Sequence, residues 1–238
     1  MKITYIYHSC FTVELEKSVL IFDYYMGELP AFSKDKKIYV FASHNHGDHF
    51  AIEVLDWIHQ YPHISFLLGS DIPVDAQYLK KNGKDITVKD HIRTVKEHST
   101  LTLDDMYIQA LHSTDEGVAF CIELEGKSIY HAGDLNWWHW EGEPGDFNKD
   151  QEKVYKREID SIGGRHFDAA FVPVDPRLMD ATYYGIDYFM AHTKTDHVFP
   201  MHFWRKYDMF QQLTNRKESE PYRDSIMTIK EEGQSWEL

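Results

Sequence analysis

The sequence predicts an α/β fold, and three observations carry that prediction. Short apolar runs of strand character recur along the chain, among them "KKIYVFAS" (36–43), "ISFLLGS" (64–70) and "FDAAFVPVD" (167–175). Between the first two lies "AIEVLDWIHQ" (51–60), with Ile52, Leu55 and Ile58 on one helical face, so strand, helix and strand follow as a crossover unit. Behind several of these runs sit clusters of histidine and aspartate, the placement expected of loops held by a rigid sheet.

Taken in order, "ITYIYHSCFTVELEKSVLIFDYY" (3–25) reads as two or three strands with a turn near Glu16-Lys17-Ser18. "KKIYVFAS" is apolar enough to be buried on both faces. After "ISFLLGS", the stretch from Ile86 to Glu123 reads as β-rich, with turn signals at Asp90, Asp104-Asp105 and Asp115-Glu116-Gly117. "KSIYHAGD" (127–134) is a strand ending in a loop. "NKDQEKVYKREIDSIGG" (148–164) is a charged helix with Val154, Ile159 and Ile162 facing inward and a Gly163-Gly164 stop. "FDAAFVPVD" is a strand, "IDYFMAHTK" (186–194) a helix, and "HVFPMHFW" (197–204) a short strand entering a loop. No linker or low-complexity tract interrupts the series, so one domain over residues 1–238 is expected. "ELEKSVLIFD" (14–23) and "ELEGKSIYHAGD" (123–134) share the order Glu-Leu-Glu, turn, Lys-Ser, strand, Asp, which suggests two similar β-rich halves.

Composition narrows the function classes. A formal charge of −14 argues against a nucleic-acid partner, which is usually met by a basic face, while leaving room for a small anionic substrate beside a metal. No apolar run approaches the roughly 20 residues of a membrane span, and no secretory signal is visible. Two cysteines, Cys10 and Cys121, form no disulfide framework, so a cytoplasmic setting is expected.

The chemistry concentrates in "SHNHGDHF" (43–50). In an extended loop His44 and His46 point the same way and can share one ion. Gly47 then lets Asp48 and His49 turn towards a second point. Two dications need further ligands and a bridging carboxylate. His112, Asp134 and His202 each follow an apolar strand into a loop, the same context as the first cluster.

"HNHGDH" (44–49) matches the His-x-His-x-Asp-His signature of the metallo-β-lactamase superfamily, and the chain resembles that family over nearly its whole length. The resemblance implies an αβ/βα four-layer sandwich with two central mixed β-sheets. It implies a first metal on His44, His46 and His112, a second on Asp48, His49 and His202, and Asp134 bridging. Two divalent ions are implied, zinc first and manganese as the alternative. "HSCFTVE" (8–14) and "STDEGVAF" (113–120) resemble the narrower group of the bacterial ascorbate-phosphate lactonase. In that group a histidine at the position of His8 sits near the site, which suits substrate contact; a satisfied strand-end histidine is the plain alternative. Asp48 is the candidate proton acceptor. Asp23 is a candidate to hold the ring N–H of a ligand histidine, with a turn cap as the alternative.

The expected function is therefore a dinuclear hydrolase that uses a metal-bridging hydroxide on a small anionic lactone, ester or phosphodiester. An RNase Z-like nuclease and a non-catalytic metal-binding or sensor module are the rivals. Thr114, Asp115 and Glu116 are candidate cleft residues, with a turn role favoured for Glu116. Trp137, Trp138 and Trp140 are either a wall over the metals or packing against the neighbouring helix. His131 is expected to be a strand side chain. His59, His63, His91, His98, His139 and His166 read as surface residues, and no spacing rule makes ligands of His192 or His197.

Overall fold

The computed structural model describes residues 1–238 and divides them into two compact units. The first comprises Met1–Lys96 with Glu232–Leu238, the second Glu97–Glu231.

The first unit is built on a seven-stranded mixed sheet. Strands β1 (Lys2–Tyr7), β2 (Cys10–Glu14) and β3 (Ser18–Phe22) form an antiparallel meander. Then β4 (Lys37–Ala42), β5 (Ile64–Gly69) and β6 (Ile92–Val95) add in parallel. The parallel strands β3 and β4 are buried almost throughout, which is why their sequences are continuous apolar runs and do not alternate. "AIEVLDWIHQ" forms a 3₁₀ helix over Ile52–His59, and the three-residue spacing of Ile52, Leu55 and Ile58 suits its three residues per turn. Val54 and Leu55 are its buried residues, packed into a core with Ile38, Val40 and Phe66.

The second unit carries a six-stranded mixed sheet. Strands β7 (Thr100–Leu103), β8 (Met106–His112), β9 (Val118–Leu124) and β10 (Lys127–His131) form the meander. Strands β11 (His166–Pro173) and β12 (Lys194–Met201) follow in parallel. The segment echo falls on equivalent places in the two sheets. β2 and β3 form an antiparallel hairpin before a parallel crossover, and so do β9 and β10.

Several elements depart from the sequence expectation. The helix expected from residue 148 begins earlier, as α2 (Gly145–Ser161). Tyr155 and Ile159 are buried along it and Ile162 just beyond, whereas Val154 is only half-buried. Ile86–His91 is a 3₁₀ helix and not a strand, because the Asp85 carboxylate accepts the Thr87 N–H and starts a turn. α1 (Ala76–Lys81) is opened by Asp75, which accepts from the N–H groups of Gln77 and Tyr78. It buries only Leu79, so it leaves no amphipathic stripe to read. α3 (Tyr184–His192) was expected, but α4 (Met209–Asn215) and the edge strand β13 (Ser235–Glu237), paired with β1, were not. Both cysteines are buried and free. No helix is long and apolar enough to cross a membrane.

Candidate metal centre

In the first unit the motif occupies the loop leaving the buried end of β4. Gly69 at the end of β5 makes this possible: a Cβ there would stand 2.3 Å from the Ser43 carbonyl oxygen, so only glycine lets the loop root lie this close. The His49 and Phe50 N–H groups both donate to the His46 carbonyl, and the Asn45 N–H donates to Asp71.

The ring orientations follow from one buried carboxylate. Asp23 accepts the Ser43 N–H at 2.7 Å and the Ser43 hydroxyl at 2.8 Å, and pairs with His49 Nδ1 at 2.8 Å. Because the Ser43 proton is given to Asp23, its oxygen accepts from His44 Nδ1, 2.8 Å away. Both histidines thus carry their proton on Nδ1, and each has its Nε2 lone pair to offer a metal. His44 Nε2 lies 3.0 Å from His46 Nδ1. Two imidazole nitrogens on one tetrahedral zinc stand roughly 3.3 Å apart, so this donor pair fits an ion. The motif histidines and Asp48 are therefore brought together, and Asp23 takes the anchoring role expected of it.

His8 is buried in a left-handed conformation (φ 53°), and its N–H donates to the Tyr5 hydroxyl. Its Nε2 lies 3.5 Å from Asp48 Oδ2. Contact with the His8 ring, against the opposing effect of burial, holds the Asp48 carboxyl well below the usual carboxylate range. His8 thus touches the proposed proton acceptor itself.

In the second unit Asp134 follows β10 and is buried. Its loop is pinned from both sides. Thr114 Oγ1 donates to the Asn136 carbonyl and accepts the Asn136 N–H, while Trp138 Nε1 donates to the Asp134 carbonyl at 2.9 Å. His131, buried on β10, accepts the Gly133 N–H, so this strand histidine shapes the turn before Asp134. His202 follows β12 with φ 64°, its Nε2 3.5 Å from Asp134 Oδ1 and its Nδ1 2.9 Å from Asp175 Oδ2. Burial alone lowers the pKa of this ring, but Asp134 and Asp175 more than offset it and push it up to about 10. For this ring to hold an ion its Nε2 proton would have to leave, and the two buried carboxylates would then stabilise the ion as they do the proton.

His112 ends β8 with Nδ1 bonded to Glu97, while its backbone N–H donates to Glu158. A carboxylate oxygen of Asp115 lies within 4.8 Å of one of Asp134. His197 is a half-buried residue of β12, and His192 stacks on Tyr188 with Nδ1 on the Tyr188 carbonyl. The tryptophans divide their roles. Trp137 packs on Tyr184 and Tyr188 of α3 under the Lys156 ammonium. Trp138 stacks on Trp140 and meets the His202 ring edge-on, at 5.7 Å.

Ser43 and Asp175 were missed by the sequence reading. Asp175 did carry a signal: it ends an apolar strand run in "FDAAFVPVD" as Asp23 ends one in "VLIFD", and each holds a ligand-type histidine by Nδ1.

Comparison with known proteins speaks to family and fold. Residues 2–139 match the family model described as a beta-lactamase superfamily domain. The chain is 30% identical over 146 residues to a UPF0173 metal-dependent hydrolase of Alkaliphilus metalliredigens, covering 56% of this chain and 63% of that protein. It is 32% identical over 149 residues to one of Desulforamulus reducens, covering 56% and 62%. The match thus spans less than two thirds of these relatives' length. Among solved structures, the Igni18 metallo hydrolase of Ignicoccus hospitalis superposes with a TM-score of 0.64 at 18% identity, over 100% of this chain and 98% of that one. The isothiocyanate hydrolase from Delia radicum gut bacteria does so at 0.58 and 13%, over 100% and 99%. These two likenesses speak for the fold. With the family model covering more than half of the residues, the chain belongs to the metallo-β-lactamase superfamily.

Proposed function

We propose that this protein is a metal-dependent hydrolase with a dinuclear centre, acting on a small anionic molecule that carries a lactone, ester or phosphodiester bond. The observation that carries the reading is the donor chemistry. His44, His49 and His202 are each tied at Nδ1 to a buried oxygen, of Ser43, Asp23 and Asp175 respectively, which leaves Nε2 as the ligand atom. His44, His46 and His112 would hold the first ion, Asp48, His49 and His202 the second, and Asp134 both. For His112 this requires its ring to exchange Glu97 for the ion, and Asp115 is the carboxylate at hand beside Asp134. Zinc suits the imidazole-rich set, with manganese second. Bound ions of this kind lower the pKa of water towards about 7 and polarise a carbonyl or phosphoryl oxygen.

The chain's own groups do the rest. Asp48 would take the proton released by the attacking water, and His8, whose Nε2 faces the same carboxylate, would pass that proton on to the leaving group. No serine or cysteine nucleophile is required. The name metal-dependent hydrolase carried by the UPF0173 relatives supports this reading. The test is a panel of small anionic lactones, cyclic nucleotides and phosphodiesters set against structured RNA, with and without chelator. Chelator-sensitive turnover among the small molecules is expected. Efficient RNA cleavage without small-molecule turnover would transfer the assignment to a nuclease, and no turnover by fully metallated protein would leave a binding module.

A further inference from the structure

The loops that hold His202 also build a feature the proposed chemistry does not use. Asp175 begins a 3₁₀ helix (Pro176–Ala181), and its carboxylate grips Arg177 two residues on. Nε of Arg177 lies 3.0 and 2.9 Å from the two oxygens and Nη2 lies 2.5 Å from Oδ2. The guanidinium sits against two indoles, its carbon 4.8 Å from the ring centre of Trp204 and 5.4 Å from that of Trp140. Trp204 is itself fixed, Nε1 donating to the same Asp175 oxygen at 3.2 Å. The guanidinium is thus held on one edge and flanked by aromatic faces, yet 49% of the side chain remains accessible.

Three further observations point outward from this clamp. Beyond the buried Phe203, Trp204-Arg205-Lys206 is exposed and carries two basic residues, in a chain whose formal charge is −14. Trp204 and Arg205 both take left-handed conformations (φ 51° and 59°). Met179 is held at φ 53°, ψ −118° by Thr182, whose N–H and hydroxyl both donate to its carbonyl, and it leaves 63% of its surface in water. Backbone strain that only presents side chains to solvent contributes nothing to a core, and such strain gathers where ligands are gripped.

We propose that Arg177, clamped by Asp175 between Trp140 and Trp204, receives the anionic group of the substrate, a carboxylate or a phosphate, beside His202. A planar fork with stacked faces selects a bidentate anion in a way that a lysine at the same place cannot. The inference rests on the hydrolase reading, and it names the group by which that enzyme would recognise its substrate.

The test is a binding titration on metal-loaded protein, followed by tryptophan fluorescence, with phenylphosphonate, benzoate and the neutral benzamide as probes. The anion that binds more tightly identifies the source group. Arg177→Lys keeps a cation opposite Asp175, so metal content should stay at the wild-type value while anion affinity falls about 10-fold or more. Trp204→Ala should weaken the same probe several-fold, and Lys149→Gln, which removes an exposed charge elsewhere, should not. An Arg177→Lys protein that binds both anions like wild type, or a wild type that binds benzamide equally well, would overturn the proposal. Because the titration needs no turnover, failure of the hydrolase reading would show separately, as absence of chelator-sensitive hydrolysis in the same wild-type preparation.

Discussion

Replacing Asp23 by asparagine tests how the first half of the centre is organised. The carboxylate is fully buried and engages three groups: the Ser43 N–H, the Ser43 hydroxyl and His49 Nδ1. Asparagine keeps the shape and one acceptor, enough for the Ser43 N–H. Its amide then presents N–H groups where Oδ2 had met a hydroxyl and a ring N–H. The hydroxyl can rotate to accept, but His49 must move its proton to Nε2, the atom assigned to the metal. Loss of one charge-assisted bond, with a buried donor left facing another, costs about 3 kcal/mol. For a chain of this size that corresponds to about 6–12 °C in the melting temperature of metal-free protein. Metal affinity should fall about 10–100-fold, as for other carboxylates behind ligand histidines. Calorimetric zinc titration beside a thermal melt gives both quantities. A variant with the wild-type isotherm and melting temperature would refute the claim that Asp23 sets the His49 tautomer.

Other substitutions probe separate links. His202→Ala should leave one tightly held ion and lose most activity, with part restored by excess metal, whereas His197→Ala should keep both ions by elemental analysis. Gly69→Ala drives a Cβ into the Ser43 carbonyl and should cost at least about 2 kcal/mol, read as a lowered urea midpoint. Asp168, on β11, carries a depressed pKa. Burial opposes the depression, but the Lys127 ammonium and the Ser128 N–H outweigh it. Its contribution is present above the unfolded value of about 4 and is lost as pH falls through the folded one. Asp168→Asn should therefore destabilise at pH 7 by under about 1 kcal/mol after solvent screening, and the difference from wild type should vanish in strong acid.

What was legible in the sequence divides along physical lines. Fully buried parallel strands are apolar without interruption, so β4, β5 and β11 could be read directly. The motif "HNHGDH" was legible because its candidate ligands are neighbours in one loop. The duplicated hairpin-and-crossover plan left a trace in "ELEKSVLIFD" and "ELEGKSIYHAGD", since the same turn and strand ends recur in each sheet. Short elements were not legible. α1 buries a single leucine and β13 has three residues, too few for any periodicity. The groups behind the ligands were only partly visible, because Ser43 and Asp175 act through the fold and not through spacing. Arg177 gave no signal at all: its meaning depends on two tryptophans 37 and 27 residues away along the chain.

The most direct measurement is elemental analysis of protein purified with zinc and with manganese, paired with hydrolysis before and after chelation. Close to two ions per chain is expected, with activity abolished by chelator and restored by metal. At most one ion at saturation, or hydrolysis indifferent to chelator, would contradict a dinuclear hydrolase.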